Sequence, residues 1–142
     1  LSTHMDLDLD LMKQKSNDNP VFYAQYAHAR ICSVLKNFAS LGHEFKPVTK
    51  FKHLDLNVTK SICLLLLQYP SVIEEVATKR IVHKITHFIN ELSYLLHSYY
   101  NDEKILTENI DETMEKLTII NAIKIVLGDA LNLIGVSAPE KM

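Results

Sequence analysis

The sequence predicts an all-α protein, a helix bundle, on three observations. Glycine and proline are scarce, three and four among 142 residues, too few for the turns of a sandwich or barrel. Along several stretches apolar residues recur at the three- and four-residue spacing that lines one side of a helix. The 47% hydrophobic share suffices for a single core that buries about two thirds of the unfolded chain's surface at this length.

Ahead of the first long helix, Leu7, Leu9 and Leu11 alternate with Asp6, Asp8 and Asp10. That period of two suits a strand or extended entry before a short helical piece through Lys15. The first long helix is marked by Asn19-Pro20. Proline suits the first turn, where its missing N–H would go unpaired anyway, and Asp18 or Asn19 can cap the donors beyond it. Ala24, Ala27, Ile31, Val34, Leu35 and Phe38 follow as one apolar stripe, which is read as core. Tyr23, Tyr26, Arg30, Ser33 and Asn37 lie about a third of a turn aside, so two aromatic rings and a guanidinium emerge together beside the buried face.

Gly42 to Lys52 contains Pro47 and the basic cluster Lys46, Lys50 and Lys52, and reads as a loop. Its lysines suit an ordinary solvated surface, with RNA backbone contact as the minor alternative. Val58, Ile62, Leu65, Leu66 and Tyr69 predict a second helix, closed at Tyr69 because the residue before a proline disfavours α geometry. Ser71 with Glu74 has the spacing of a capping box, so a third helix is expected at once. Ile81, Ile85, Phe88, Leu92, Leu95 and Tyr99 carry the helical pattern from Lys79 to Tyr100, with a break or kink between Val76 and Arg80. Asn101 to Glu112 is acidic and without period, a loop of about twelve residues. From Thr113 to Ile134 the pattern is apolar over most of the circumference, with Asn121, Lys124, Gly128 and Asn132 as a narrow polar strip; this is the central helix. Gly128 inside it costs about 1 kcal/mol relative to alanine, which points to a close approach by another helix. Gly135 is read as a left-handed cap, and Pro139 keeps the helix from resuming.

Few side chains suggest reaction chemistry. Cys32 and Cys63 form no CxxC pair and read as small buried hydrophobes in a reducing compartment. His83 and His87 have i, i+4 spacing, but sit off the apolar stripe without a third ligand forced beside them, so no metal site is expected. No phosphate-binding glycine loop and no positioned nucleophile are present, and no catalytic residue or cofactor is expected. The longest apolar run, Ile62 to Leu67, is far short of the roughly 18 residues of a membrane span, and no charged-then-apolar leader opens the chain; a soluble, cytoplasmic protein with no membrane or DNA partner is expected. The net charge is −2, yet nine basic residues against five acidic ones fall within residues 21–100. A weakly basic face there would suit a module that reads a few unstacked bases.

The run NPVFYAQYAHARI, residues 19–31, closely resembles the segment that opens the C-terminal, all-helical anticodon-binding domain of class I arginyl-tRNA synthetases. LSTHMDLDLD, residues 1–10, looks like the last piece of that family's catalytic domain. ELSYLLHSYYN, residues 91–101, resembles the family motif with a histidine three residues before a tyrosine, placing His97 and Tyr100 on matching positions. GVSAPEKM, residues 135–142, resembles the terminal signature, with Lys141 where arginine is usual. Asp129-Ala130-Leu131 lies in the stretch that gives the superfamily its short name, with Asn132 in place of its arginine.

The resemblance implies that residues 1–18 are the tail end of a catalytic domain and linker, and residues 19–142 an anticodon-binding bundle. It further implies a fragment that binds and positions arginine tRNA through its anticodon loop, with emphasis on the central anticodon base. The parent would be an arginine–tRNA ligase using ATP with magnesium, and its own catalytic domain would be this unit's other partner. HIGH-like and KMSKS-like motifs are missing, so the fragment itself should not be an enzyme. The residues implied to meet the anticodon loop are Tyr26, Arg30, Tyr100 and Met142, with Tyr23 and Lys104 as further RNA contacts. Lys104 stands where many relatives carry a hydrophobic, aromatic or arginine residue. Gln25 and His28 match the motif but face away from Tyr26, which suggests structural roles. The tail, Val136 to Met142, is expected to fold back and bring Met142 near Tyr26 and Tyr100. Spacing alone reads Tyr23, Tyr26 and Tyr100 as core-edge packing. Two other readings share the helical class: the same domain in another synthetase, against which QYAHAR and APEKM speak, and a tyrosine-faced protein-interaction module.

Overall fold

The computed structural model describes residues 8–16 and 18–142. The opening alternation as far as Leu7, and the Val58 side chain, lie outside the described residues. Five helices follow in order: α1 (Leu9–Lys13), α2 (Pro20–Ser40), α3 (Leu56–Lys79), α4 (His83–Asp102) and α5 (Ile110–Leu133). There is no strand among the described residues. The α4–α5 pair forms the middle of the bundle: α2 packs on both, α3 packs on both from elsewhere, and among the described residues α2 and α3 do not pack on each other. Leu117, Ile120, Ile123, Leu127 and Leu131 of α5 are fully buried between them.

Asn19 opens α2 and also ties down what precedes it. Its Oδ1 accepts from the Val21 and Phe22 amides, while its Nδ2 donates to the Met12 and Gln14 carbonyls at 3.0 and 2.9 Å. The entry is helical where described, because Asp8 Oδ1 caps α1 by accepting from Asp10 and Leu11 N–H. Leu9 and Met12 are exposed, so the Leu/Asp alternation reflects no buried strand face.

The expected stop at Tyr69 does not occur: α3 runs through Pro70 to Lys79. Pro70 is on the exposed side, where the carbonyl that loses its donor can turn to water. Leu66, Tyr69, Ile73 and Val76 meanwhile pack against the core as one unbroken stripe. Burial along that stripe outweighs the proline's local preference, and Ser71 caps nothing. The break falls instead at Arg80, in the left-handed region at φ 55°. The following loop is also shorter than expected. Helix α4 continues to Asp102, and α5 starts at Ile110 because Asn109 Oδ1 caps Asp111 and Glu112 N–H. Buried Lys116 holds the seven-residue link by donating to Glu103 at 2.7 Å and the Lys104 carbonyl at 3.0 Å, and by pairing with Glu112 at 2.8 Å.

The segment between α2 and α3 lies across α5 and is held by one buried carboxylate. Glu115 accepts from the backbone N–H of Lys52, His53 and Leu54 and meets His53 Nδ1 at 2.9 Å. Burial pushes this carboxyl up, yet the hydrogen bonds from His53 and Lys52 outweigh it and hold the group down to about 2. Lys46, Lys50 and Lys52 are exposed on the outside of this segment.

At the end of α5 the Gly135 N–H bonds the Asn132 carbonyl and the Val136 N–H the Leu131 carbonyl. With Gly135 at φ 75°, this is the left-handed cap expected from the sequence. Gly128 makes room for a side chain rather than a helix backbone: a Cβ there would stand 3.4 Å from His28 Nε2 and 4.0 Å from Ala138 Cβ.

Candidate nucleic-acid interface

The apolar stripe of α2 turns Ala24, Ala27 and Ile31 into the core, which leaves Phe22, Tyr23, Tyr26 and Arg30 along the helix's flank. Neighbours four apart on a helix stack one above the other, and the Phe22 and Tyr26 rings are parallel within 2° at 6.4 Å. The row continues onto α4. Tyr26 lies 5.7 Å from the His97 ring at 11°, and Tyr23 packs on the same imidazole at 4.4 Å with a 38° tilt. One turn on, the Arg30 guanidinium carbon sits 4.3 Å above the Tyr100 ring. The structure thus brings Tyr23, Tyr26, Arg30 and Tyr100 together across the α2–α4 seam. Phe22 and His97 join them, although neither was expected to take part in the face. The signal for Phe22 was its spacing, i−4 from Tyr26, and that for His97 its place in the run ELSYLLHSYYN, i−3 from Tyr100.

The tail folds back along α2 as expected. Gln25 Nε2 donates to Ser137 O and Oγ, both at 3.0 Å, and His28 Nδ1 donates to the Pro139 carbonyl at 2.9 Å. Lys36 pairs with Glu140 at 2.8 Å. Gln25 and His28 are therefore the fasteners of the tail, the structural roles expected for them. Met142 comes back to the start of α2, half exposed, where it lines a cavity of about 680 Å³ with Met12, Lys13, Phe22 and Gln25. Met142 thus shares this cavity with Phe22 at the head of the row, whereas Tyr26 and Tyr100, the neighbours expected for it, do not line it. Lys104 is exposed beyond α4, on the link anchored by Lys116.

Burial governs the electrostatics of the face. It raises the Tyr100 phenol well above its usual value, with the Arg30 charge pulling the other way. It raises Tyr23, with Tyr94 adding to the effect. The His97 imidazole is lowered by burial, the Arg30 charge acting in the same direction and the Tyr23 backbone against it. A cation, planar rings and a neutral imidazole side by side suit stacking and hydrogen bonding with flat, anionic polymers. Cys32 and Cys63 are free thiols pushed up by burial, the opposite of an activated nucleophile. His83 and His87 are exposed, the latter 4.0 Å from Glu91, and among the described residues no group of three or more His, Cys, Asp or Glu is placed to hold a metal ion.

Residues 24–142 match the family model of the DALR anticodon binding domain. The chain belongs to that family. Over 143 aligned positions the DALR chain is 46% identical to an arginine–tRNA ligase of Bacillus pumilus, and it is 43% identical to one of Staphylococcus epidermidis. Each alignment covers 99% of this chain, which spans about a quarter of the relatives' length. Among solved structures, one from Campylobacter jejuni named as an arginyl-tRNA synthetase superposes with a TM-score of 0.82 at 27% identity, over 99% of this chain and 30% of that one. Thermus thermophilus arginyl-tRNA synthetase shares the fold, with a TM-score of 0.70 at 24% identity over 92% of this chain and 22% of its own. No described helix is long and apolar enough to cross a membrane.

Proposed function

We propose that this DALR domain recognises the anticodon loop of arginine tRNA on the α2–α4 seam, for a parent protein that joins arginine to that tRNA. The observation that carries the reading is the assembly of Tyr26, Arg30 and Tyr100 on one face, from segments 70 residues apart, in a chain of this family. Tyr26 offers its ring to an unstacked base. Arg30 offers charge and a planar set of donors. Met142, at the head of the Phe22–Tyr26 row, offers polarisable packing, and Tyr23 and Lys104 flank the contact.

Division of labour follows from what this segment holds. Residues 1–18 belong to the link with a catalytic domain, and residues 19–142 are the recognition unit. ATP with magnesium, arginine and the transfer step belong to that catalytic domain, which meets this unit in the assembled cytoplasmic enzyme; the domain itself positions RNA and catalyses nothing. Titrating the 142-residue chain with labelled arginine tRNA transcript and with a tRNA of another specificity tests the reading. Saturable binding that prefers arginine tRNA is expected, and equal binding of both, or none, overturns it.

A further inference from the structure

Three buried side-chain atoms have no hydrogen-bond partner among the described residues: His97 Nε2, Tyr99 Oη and Tyr100 Oη. Buried polar atoms are nearly always paired, so each exception calls for a cause. Tyr99 lies in the core, on the side of α4 toward Glu103, Glu112 and Cys63. Tyr100 lies under Arg30. His97 stands between these extremes, half-buried, with its ring covered by Tyr26 and Tyr23 from a single turn of α2. Of these two, Tyr26 is the more exposed, at 39%, and it lies outside the core, between Phe22 and His97. The buried Nε2 thus belongs to a ring that stacks on the more exposed of its two aromatic neighbours.

We propose that His97 is a specificity-determining RNA contact, its Nε2 hydrogen-bonding the edge of the base that stacks at Tyr26 once that ring has shifted to receive it. The proposal rests on the seam being the anticodon-loop surface. An imidazole nitrogen donates or accepts according to tautomer, so it matches one base edge and mismatches another, which a ring face alone cannot do. The ring is in its neutral form near pH 7, since burial and the Arg30 charge both disfavour the cation. Tyr23, Tyr26 and Arg30 face it from α2, with Tyr94 and Tyr100 beside it on α4, and no carboxylate among these would pull a proton onto it. His97 thus adds selectivity without adding salt dependence, whereas Arg30 carries the charge.

The test compares the parent chain with His97→Phe, which keeps a flat ring against both tyrosines, and His97→Gln, which keeps a polar nitrogen. Each is titrated with an anticodon stem-loop of arginine tRNA and with loops altered at the central base. His97→Phe should bind the matched loop about tenfold more weakly, the order of one hydrogen bond lost with its partner left bare. Its preference over the altered loops should shrink by a similar factor, its salt dependence should stay unchanged, and His97→Gln should recover part of the loss. On the parent chain, the ¹⁵N resonance of His97 Nε2 should move when the matched loop is added, a measurement that stands even if a variant fails to fold. A His97→Phe chain that binds and discriminates like the parent, or an unmoved Nε2 resonance, overturns the proposal alone. A parent that shows no preference for arginine tRNA overturns the reading of the seam, and this proposal with it.

Discussion

A ring that stacks on a base must show it a face, and Tyr26, at 39% exposure, meets that condition in the free domain, while Tyr100 lies under the Arg30 guanidinium at 4.3 Å. Tyr26→Ala should weaken tRNA binding by about 1–3 kcal/mol, the worth of one stacked base, and leave the melting temperature nearly unchanged because the ring is outside the core. Parent-like binding by a folded Tyr26→Ala chain would reduce Tyr26 to packing. Arg30→Ala removes a cation–π contact worth about 0.5–1 kcal/mol at an accessible site, and uncovers Tyr100. Titration of Arg30→Ala across a salt series separates its two possible RNA partners. A slope of log affinity against log salt that is shallower by about 0.9 identifies one phosphate contact. An unchanged slope with weaker base preference identifies a base edge, and no change in either removes Arg30 from the site.

At the level of the helices, α3 exposes the conflict between a local signal and a tertiary one. Proline within a helix costs about 3 kcal/mol, yet the stripe from Leu66 to Val76 stays on the core across Pro70. Pro70→Ala restores an amide donor at an exposed position; it also frees the unfolded chain, which offsets about 0.4–1 kcal/mol. The net expectation is a domain more stable by roughly 2 kcal/mol in urea unfolding, with RNA binding untouched. A loss of stability would mean that α3 is fitted to the proline's geometry. The same conflict explains what could be read in advance. Asn19 acts through a side chain that caps its own helix, and Pro20 and Gly135 through their own backbones, so the sequence shows the start of α2 and the end of α5 directly. The break at Arg80 falls within the stretch from Val76 to Arg80 where the pattern placed one, but the passage through Pro70 and the start of α4 without a side-chain cap depend on what lies across the bundle, and no local pattern announces them. Likewise the α2 flank was legible from helical spacing, whereas the place of His97 between Tyr23 and Tyr26 needs α4 docked on α2.

Across the whole molecule, carboxylates fasten the connecting segments to the bundle. Glu115 holds residues 52–54, Glu112 joins Lys116 in holding the α4–α5 link, Glu75 meets Lys84 and Lys79 at the α3–α4 corner, and Glu140 pairs with Lys36 on the tail. Hydrogen bonds from those lysines lower Glu75 to about 2, and lower Glu112 and Glu140 as well. A carboxyl depressed by folding contributes stability that is fully present above its unfolded value, near 4.5, and is lost as pH falls toward its folded value. His97, lowered from 6.5, acts in the same direction at milder acidity, because its cation favours the unfolded chain. The melting temperature should therefore be level near neutrality, sag slightly below pH 6.5 and fall steeply below 4.5. Glu115→Gln isolates one contribution, since glutamine imitates the protonated acid. At pH 7 it should cost about 1–3 kcal/mol by leaving buried amides poorly paired. The gap from the parent should close as pH drops from 4.5 to about 2, because there the parent's Glu115 becomes neutral too. Thermal melts followed by circular dichroism over that range measure both curves. A gap that stays constant with pH would mean that Glu115 holds the segment by shape rather than by charge.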